Sequence, residues 1–113
     1  MQTEGIELLN EWKDKSGNIS NLFHERKFQE ASFPMQQFIK NYIHLLFLLN
    51  KEKWDEELDG VDKLENFTYK PLNIKERIQF IQSYPHQYHS YIHLNELYKE
   101  TEKLYAKAEI LEQ

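Results

Sequence analysis

The apolar residues of this chain recur at helical spacing, and that pattern limits the fold more than any other feature. In SFPMQQFIKNYIHLLFLLN, residues 32–50, they start on one arc of a helix and spread around every side towards the C-terminal half. A helix that is apolar all round is a buried one. The pattern therefore predicts a central helix over 34–50, with Pro34 in its first turn. The apolar run is shorter than the roughly 20 residues that cross a bilayer.

Further amphipathic segments flank this central helix. A chain of 113 residues has room for one core, so residues 1–113 are expected to form a single domain. The fold class predicted is all-α, an irregular bundle of about four helices with a long acidic connection between the second and the third. The predicted helices cover about 5–30, 34–50, 73–83 and 85–111.

Local signals set these helix boundaries. Gly17 interrupts the first helix and allows either one kinked helix or two shorter ones. Asn73 is predicted to cap the third helix, with Glu76 reaching back to it in a capping box. Pro85 fits the first turn of the fourth helix.

The connection after the central helix carries most of the net charge. Residues 51–66 hold three lysines and seven acids, a charge of −4, whereas the whole chain carries −5. Trp54 and Phe67 are its large apolar residues and are expected to anchor it. Because affinity for nucleic acids depends mainly on lysine and arginine, an acidic chain like this one is not expected to be a general nucleic-acid binder.

The chain contains no cysteine, which rules out disulfides and thiolate metal sites. The N-terminal sequence MQTEGIELLNEW lacks the basic start and apolar run of a secretion signal. A cytoplasmic protein without a membrane partner is therefore expected. No glycine-rich phosphate loop and no nucleophile motif is present, so no catalytic residue is assigned and an enzyme is not indicated.

The segment YPHQYHSYIHL, residues 84–94, raises the question of a metal site. On a helix its three histidines share a sector of about 60°, and a glutamate extends the row. Imidazole and carboxylate groups suit zinc or iron. The row lies beside the predicted buried face, however, and metal sites in bundles take ligands from several helices. No cofactor or metal is therefore predicted. The alternative function is a helical protein that binds a metal or a small molecule through the stretch 86–96, with enzymatic activity left open. Its alternative ligand set is His86, His89, His93 and Glu96.

Tyrosines in the same segment favour a protein interface, because tyrosine joins a large apolar ring to a polar tip. The competing interpretation is that these rings seal the last two helices against the connection. An unidentified protein partner is predicted, and self-association stays open. The predicted interaction surface is Lys70, Asn73, Arg77, Tyr88, His89 and Tyr91. A third alternative, weak nucleic-acid binding, would use a basic stripe. Its residues are Lys70, Lys75, Arg77, Lys99 and Lys103.

Five motifs in sequence order carry a family resemblance: LFHER, LFLLN, YKPLNIKERIQFI, YPHQYHSYIHL and EKLYAK. They resemble the YpoC-like family of small helical proteins from low-G+C Gram-positive bacteria. The resemblance implies an all-α cytoplasmic protein without assigned catalytic residues, in a context of DNA replication or repair. The chain departs from the family pattern at Lys51, where a glycine is expected. The residues that carry the resemblance most strongly are Lys70, Pro71, Asn73, Arg77, Phe80, Ile81, Pro85, Tyr88, His89, Ser90 and Leu94.

Overall fold

The computed structural model describes residues 3–112. Met1, Gln2 and Gln113 lie outside this range. The described residues form five helices and no strand, which confirms the all-α class. Within the same range, no helix combines the length and the apolar character that crossing a membrane requires. The helices are α1 Thr3–His24, α2 Phe28–Leu49, α3 Val61–Leu64, α4 Ile74–Ser83 and α5 Tyr88–Leu111.

Helix α1 is continuous through Gly17 and ends at His24, about six residues before the predicted boundary. The backbone shows why it ends there. Arg26 has φ 61°, in the left-handed region, and the Lys27 N–H donates to the Leu22 carbonyl at 2.8 Å. This is the hydrogen-bond pattern of a Schellman motif. Glycine is the residue that usually adopts the left-handed backbone in this motif. Because arginine occupies that position here, the sequence did not indicate that the helix ends there.

Helix α2 begins at Phe28, six residues before Pro34, so this proline lies inside the helix and not in its first turn. The missing proline N–H leaves the carbonyl of Glu30 without its helical donor. Glu30 is exposed, so water can supply a donor there. The added first turn is held by Ala31, which is fully buried.

The C-terminal end of α2 repeats the motif that ends α1. Lys51 has φ 57°, and the Glu52 N–H donates to the Phe47 carbonyl at 2.9 Å. Lys51 is the position at which the family resemblance predicts glycine. The left-handed backbone gives a physical reason for that preference, because glycine adopts positive φ without steric cost.

Helix α2 contributes more buried residues than any other helix, as its widening apolar arc predicts, and it packs against α1, α4 and α5. Three buried hydrogen bonds made by hydroxyl groups fix α5 to α2 in one register. Residue numbers rise together in α2 and α5 from one pair to the next, so the two helices run parallel. The bonded pairs are Tyr98 Oη with the Phe38 carbonyl at 2.8 Å, Tyr42 Oη with Thr101 Oγ1 at 2.8 Å, and Tyr105 Oη with the Leu45 carbonyl at 3.1 Å.

The acidic connection contains the short helix α3, which brings the number of helices to five instead of about four. Its two large aromatic residues both contact α2. Phe67 is buried, with its ring edge-on to Phe47 at a centroid distance of 5.0 Å. Trp54 stacks on His44 at 4.3 Å. The connection is therefore held against the central helix at both of the aromatic positions named from the sequence.

The capping box predicted at the start of α4 does not form. Asn73 has φ 56° and its side chain makes no capping hydrogen bond. A capping side chain normally extends from a backbone in the β region, and the left-handed backbone directs it elsewhere. Asn73 instead contributes its carbonyl, which accepts from the Arg77 N–H at 3.0 Å.

Helix α5 begins at Tyr88 instead of residue 85. The Gln87 N–H donates to the Tyr84 carbonyl at 3.1 Å, which closes a turn with Pro85 at its second position, where proline is favoured. Gln87 is extended, with ψ 140°, and this separates the turn from the helix. Helices α4 and α5 thus form an antiparallel hairpin.

Candidate interaction surface

Tyr91 lies in the core and not on the predicted surface. Its side chain is buried, with its ring 5.8 Å from Trp12 and 6.1 Å from Phe23, both on α1. Trp12 in turn stacks on Tyr98 at 4.6 Å. This aromatic row explains the tyrosine-rich segment in part, because α1 covers one of its rings.

Tyr88 and His89 remain at the surface at the start of α5. Tyr88 is 39% exposed, and its ring stacks on Tyr91 at 5.8 Å. Phe23 and His24 border it at 5.8 and 5.6 Å. Tyr88 is therefore the point at which the buried aromatic row reaches solvent.

The residues predicted around the start of α4 are held by hydrogen bonds. The Arg77 guanidinium forms two bonds to the Glu100 carboxylate, at 2.5 and 3.3 Å. It also donates to the Leu72 carbonyl at 3.2 Å. Lys70 donates to the backbone carbonyl of Glu65. Bidentate arginine–carboxylate pairs have a fixed geometry, so Arg77 presents a well-defined orientation.

The six predicted residues do not form one surface. Arg77 contacts α5 at Glu100, whereas Tyr88 lies at the opposite end of the α4–α5 hairpin. Twelve helical residues separate these two positions on α5, a distance of about 18 Å. The set divides into one group at the start of α4 and another at the start of α5.

The alternative ligand set is not brought together. Within residues 3–112, no three histidine, aspartate or glutamate side chains converge as metal ligands would. His86 lies in the turn before α5, and His93 packs edge-on to Phe80 at 5.6 Å. The histidines of the other helices are engaged elsewhere, since His24 contacts Tyr88 and His44 contacts Trp54.

The basic stripe proposed for nucleic-acid binding is partly neutralised. Lys75 lies 3.2 Å from the Asp62 carboxylate and 3.9 Å from that of Glu65. Its hydrogen bond to Asp62, followed by the charge of Glu65, raises the pKa of Lys75 above its ordinary value. Arg77 is paired with Glu100. Two of the cations are thus engaged by acids, which weakens the attraction that phosphates would feel.

A groove between α4 and α5 is the feature that the residue patterns did not reveal. It has a volume of about 530 Å³ and is lined by Asn73, Glu76, Arg77, Phe80 and His93. Phe80 is 41% exposed, on the side of α4 away from its buried isoleucines. The exposure of Phe80 could have been predicted from the sequence, because this residue falls about 120° from the apolar stripe of α4 on a helical wheel.

Aromatic contacts fix the end of this groove nearest the hairpin turn. Tyr84 is 43% exposed, and its ring lies 5.3 Å from that of Phe80. His93 meets the same phenylalanine ring from α5. Three aromatic groups therefore meet at Phe80, and two of them, Phe80 and His93, line the groove together with Arg77.

A family model described as YpoC-like protein matches residues 2–113. An uncharacterized protein YpoC from Bacillus subtilis (strain 168) is 30% identical over 103 residues, which cover 88% of this chain and 61% of that protein. The chain thus spans about 61% of the length of this curated relative. No solved structure matches it.

The extent of the family match decides the classification. It begins at the second residue and continues to the last, so it includes all five helices and the groove between α4 and α5. The chain belongs to the YpoC-like family.

Proposed function

We propose that this protein is a non-enzymatic, cytoplasmic interaction module and that the α4–α5 groove binds a partner protein. The single observation that carries the proposal is the exposure of Phe80 at 41% in a groove, where its ring contacts two further aromatic groups, Tyr84 and His93. Aromatic residues and arginine are enriched in protein interfaces and supply most of their binding energy.

The groove combines an apolar anchor with an ordered polar rim. Phe80 supplies a ring surface, Tyr84 contacts that ring from beside the groove, and Leu72, the chain neighbour of Asn73, is 80% exposed. The Glu100 pair holds Arg77 in place, so little side-chain entropy remains to be lost when a partner binds. A partner that offers an apolar side chain to Phe80 and a hydrogen-bond acceptor to Arg77 would match both features.

The residues predicted from the sequence take different parts in this proposal. Asn73 and Arg77 line the groove, and Lys70 lies next to them in the chain. Tyr88 and His89 belong to the separate group at the start of α5 and do not line the groove. The buried ring of Tyr91 stacks on the ring of Tyr88. We infer from the family resemblance that the partner works in DNA replication or repair.

The experiment places a photo-crosslinking phenylalanine analogue at Phe80 or at Phe33 in the native host. Phe33 is the matched control, because it is 79% exposed on α2 and lines no part of the groove. We expect a defined protein adduct from position 80 and none from position 33. Equal labelling from both positions, or adducts from neither, would contradict the proposal.

Binding energetics provide the second readout. With the captured partner purified, Phe80→Ala is expected to weaken binding about 30-fold, the effect of losing an interface hot spot. Phe33→Ala should leave the affinity unchanged. Far-UV circular dichroism of both variants checks that helicity is retained. If DNA bound instead, with an affinity that falls steeply with salt and is lost in Lys75→Ala, the nucleic-acid alternative would replace this proposal.

A further inference from the structure

A second surface lies on the connection between α2 and α4, in its acidic part, residues 51–66, away from the α4–α5 groove. Two depressions of about 410 and 330 Å³ occur there, and both are lined by Trp54, Leu58 and Asp59. The segment 54–59 therefore forms a ridge with an opening on either side. We call the two openings together the connection groove.

Apolar side chains supply part of the connection groove. Phe47 and Val61 line the larger depression, and Ile43 lines the smaller one. On the ridge, Leu58 is 64% exposed. An exposed leucine between two openings that each contain apolar side chains is suited to contact with an apolar side chain of a partner.

The connection is held in place, so the groove exists before anything binds. Its two ends meet where the Asn50 side chain accepts from the Tyr69 N–H and donates to the Tyr69 carbonyl, both at 2.9 Å. On the ridge, Asp59 accepts a hydrogen bond from Gln82 of α4 at 3.0 Å. A preformed groove spares a ligand part of the entropy cost of ordering its site.

Gly60 contributes to the same rigidity. It has φ 75°, and a side-chain carbon at this position would lie 2.9 Å from the Phe47 ring. The chain therefore needs glycine here in order to turn tightly over the central helix.

The charge on the connection groove is negative and only partly compensated. Five acids and three lysines line the two depressions. Asp62 is paired with Lys75, but within residues 3–112 no cation forms an ion pair with Glu56 or Glu57. Unpaired carboxylates next to an exposed leucine attract a cation that carries apolar surface with it.

We propose that the connection groove binds a basic segment of a partner protein, with an apolar side chain against Leu58 and lysine or arginine residues facing Glu56, Glu57 and Asp59. Charge complementarity selects this occupant, because nucleic acids and anionic membranes would be repelled. The site is independent of the α4–α5 groove and does not rest on the function proposed above.

The test uses a synthetic helical peptide with leucines on one face and lysines on the other, titrated into the full chain by calorimetry. The charge-reversal variant is Glu56→Lys/Glu57→Lys. Its control is Glu7→Lys/Asp14→Lys, which changes the net charge equally at exposed positions on α1. We expect the first variant to weaken binding by at least about tenfold, and the control to change it less than about twofold.

Three further measurements test the apolar part of the site and its independence from the α4–α5 groove. Leu58→Ser should weaken binding of the lysine–leucine peptide, and a lysine–alanine peptide should bind poorly to the wild type. Phe80→Ala should leave this binding unchanged. The proposal is overturned if both charge variants weaken binding equally, if Leu58→Ser has no effect, or if spermine competes as well as the peptide, since a small polycation has no apolar anchor.

Discussion

Two glycines on α1 should respond in opposite ways to the same substitution. Gly17 is exposed in the middle of the helix, and a side-chain carbon added there would meet nothing within 4 Å. Alanine is favoured over glycine in a helix interior by about 1 kcal/mol. Gly17→Ala should therefore raise the free energy of unfolding by about that amount.

Gly5 faces α5 at close range. An added carbon would lie 2.6 Å from Tyr105 Oη and 3.0 Å from the ring carbon that bears it. The ring has little room to move, because Tyr105 is 4% exposed and donates to the Leu45 carbonyl at 3.1 Å. Overpacking costs about 1–3 kcal/mol, and a buried hydroxyl that loses its partner costs a similar amount. After the helical gain of alanine, Gly5→Ala should destabilise the protein by about 1–3 kcal/mol.

Urea denaturation followed by far-UV circular dichroism measures both variants, and a constant m-value shows that the unfolding transition is comparable. The double variant Gly5→Ala/Tyr105→Phe tests the cause. Loss of the hydroxyl removes the nearest atom, so the two substitutions should couple and the combined loss should be less than the sum of the single losses. The reasoning is refuted if Gly5→Ala is as stable as the wild type, because α1 would then not approach α5 at this glycine.

Three further outcomes follow from single groups. Ser90 Oγ is fully buried and has no hydrogen-bond partner among residues 3–112, so Ser90→Ala should leave stability unchanged or raise it by about 1 kcal/mol; a loss in urea denaturation larger than that would show that the hydroxyl is bonded. Lys51→Gly should stabilise the end of α2 by about 0.5–1 kcal/mol in the same assay, because Lys51 occupies a left-handed backbone, and a loss of stability would contradict this. Burial raises the pKa of the Tyr42 and Tyr98 phenols above the value of about 10 in an unfolded chain. Their contribution to stability is therefore complete below pH 10, and above it the free energy of unfolding should fall by up to about 1.4 kcal/mol per pH unit for each tyrosine. A phenolate absorbance titration checks this, and ionisation of all seven tyrosines while the protein stays folded would contradict it.

The central position of α2 could be predicted because its apolar residues occupy every side of the helix. Its boundaries could not, because the signals used were residue preferences that this chain does not follow. Arg26 and Lys51 end helices at positions where glycine is usual. Pro34 lies inside a helix instead of opening one. Local sequence does not predict such residues at these positions, because each is locally unfavourable there. Tertiary packing, such as the burial of Ala31, offsets that unfavourable energy.

In the candidate site, too, some features could be predicted from the sequence and others could not. Phe80 could have been singled out, because its place off the apolar stripe of α4 is visible from spacing alone. The burial of Tyr91 could not, since it depends on rings from α1. The pairing of Arg77 with Glu100 requires the hairpin of α4 and α5, and no pattern within a single helix contains it.

The hydroxyl bonds between α5 and α2 also limit how the molecule can respond to force. A slip of α5 along α2 by one turn, about 5.4 Å, would break all three bonds at once and leave four buried hydroxyl groups unpaired. A smaller slip would also stretch or break these bonds, so no partial displacement of α5 along α2 avoids the loss of free energy. A load applied to α5 should therefore reach the central helix without sliding of one helix along the other.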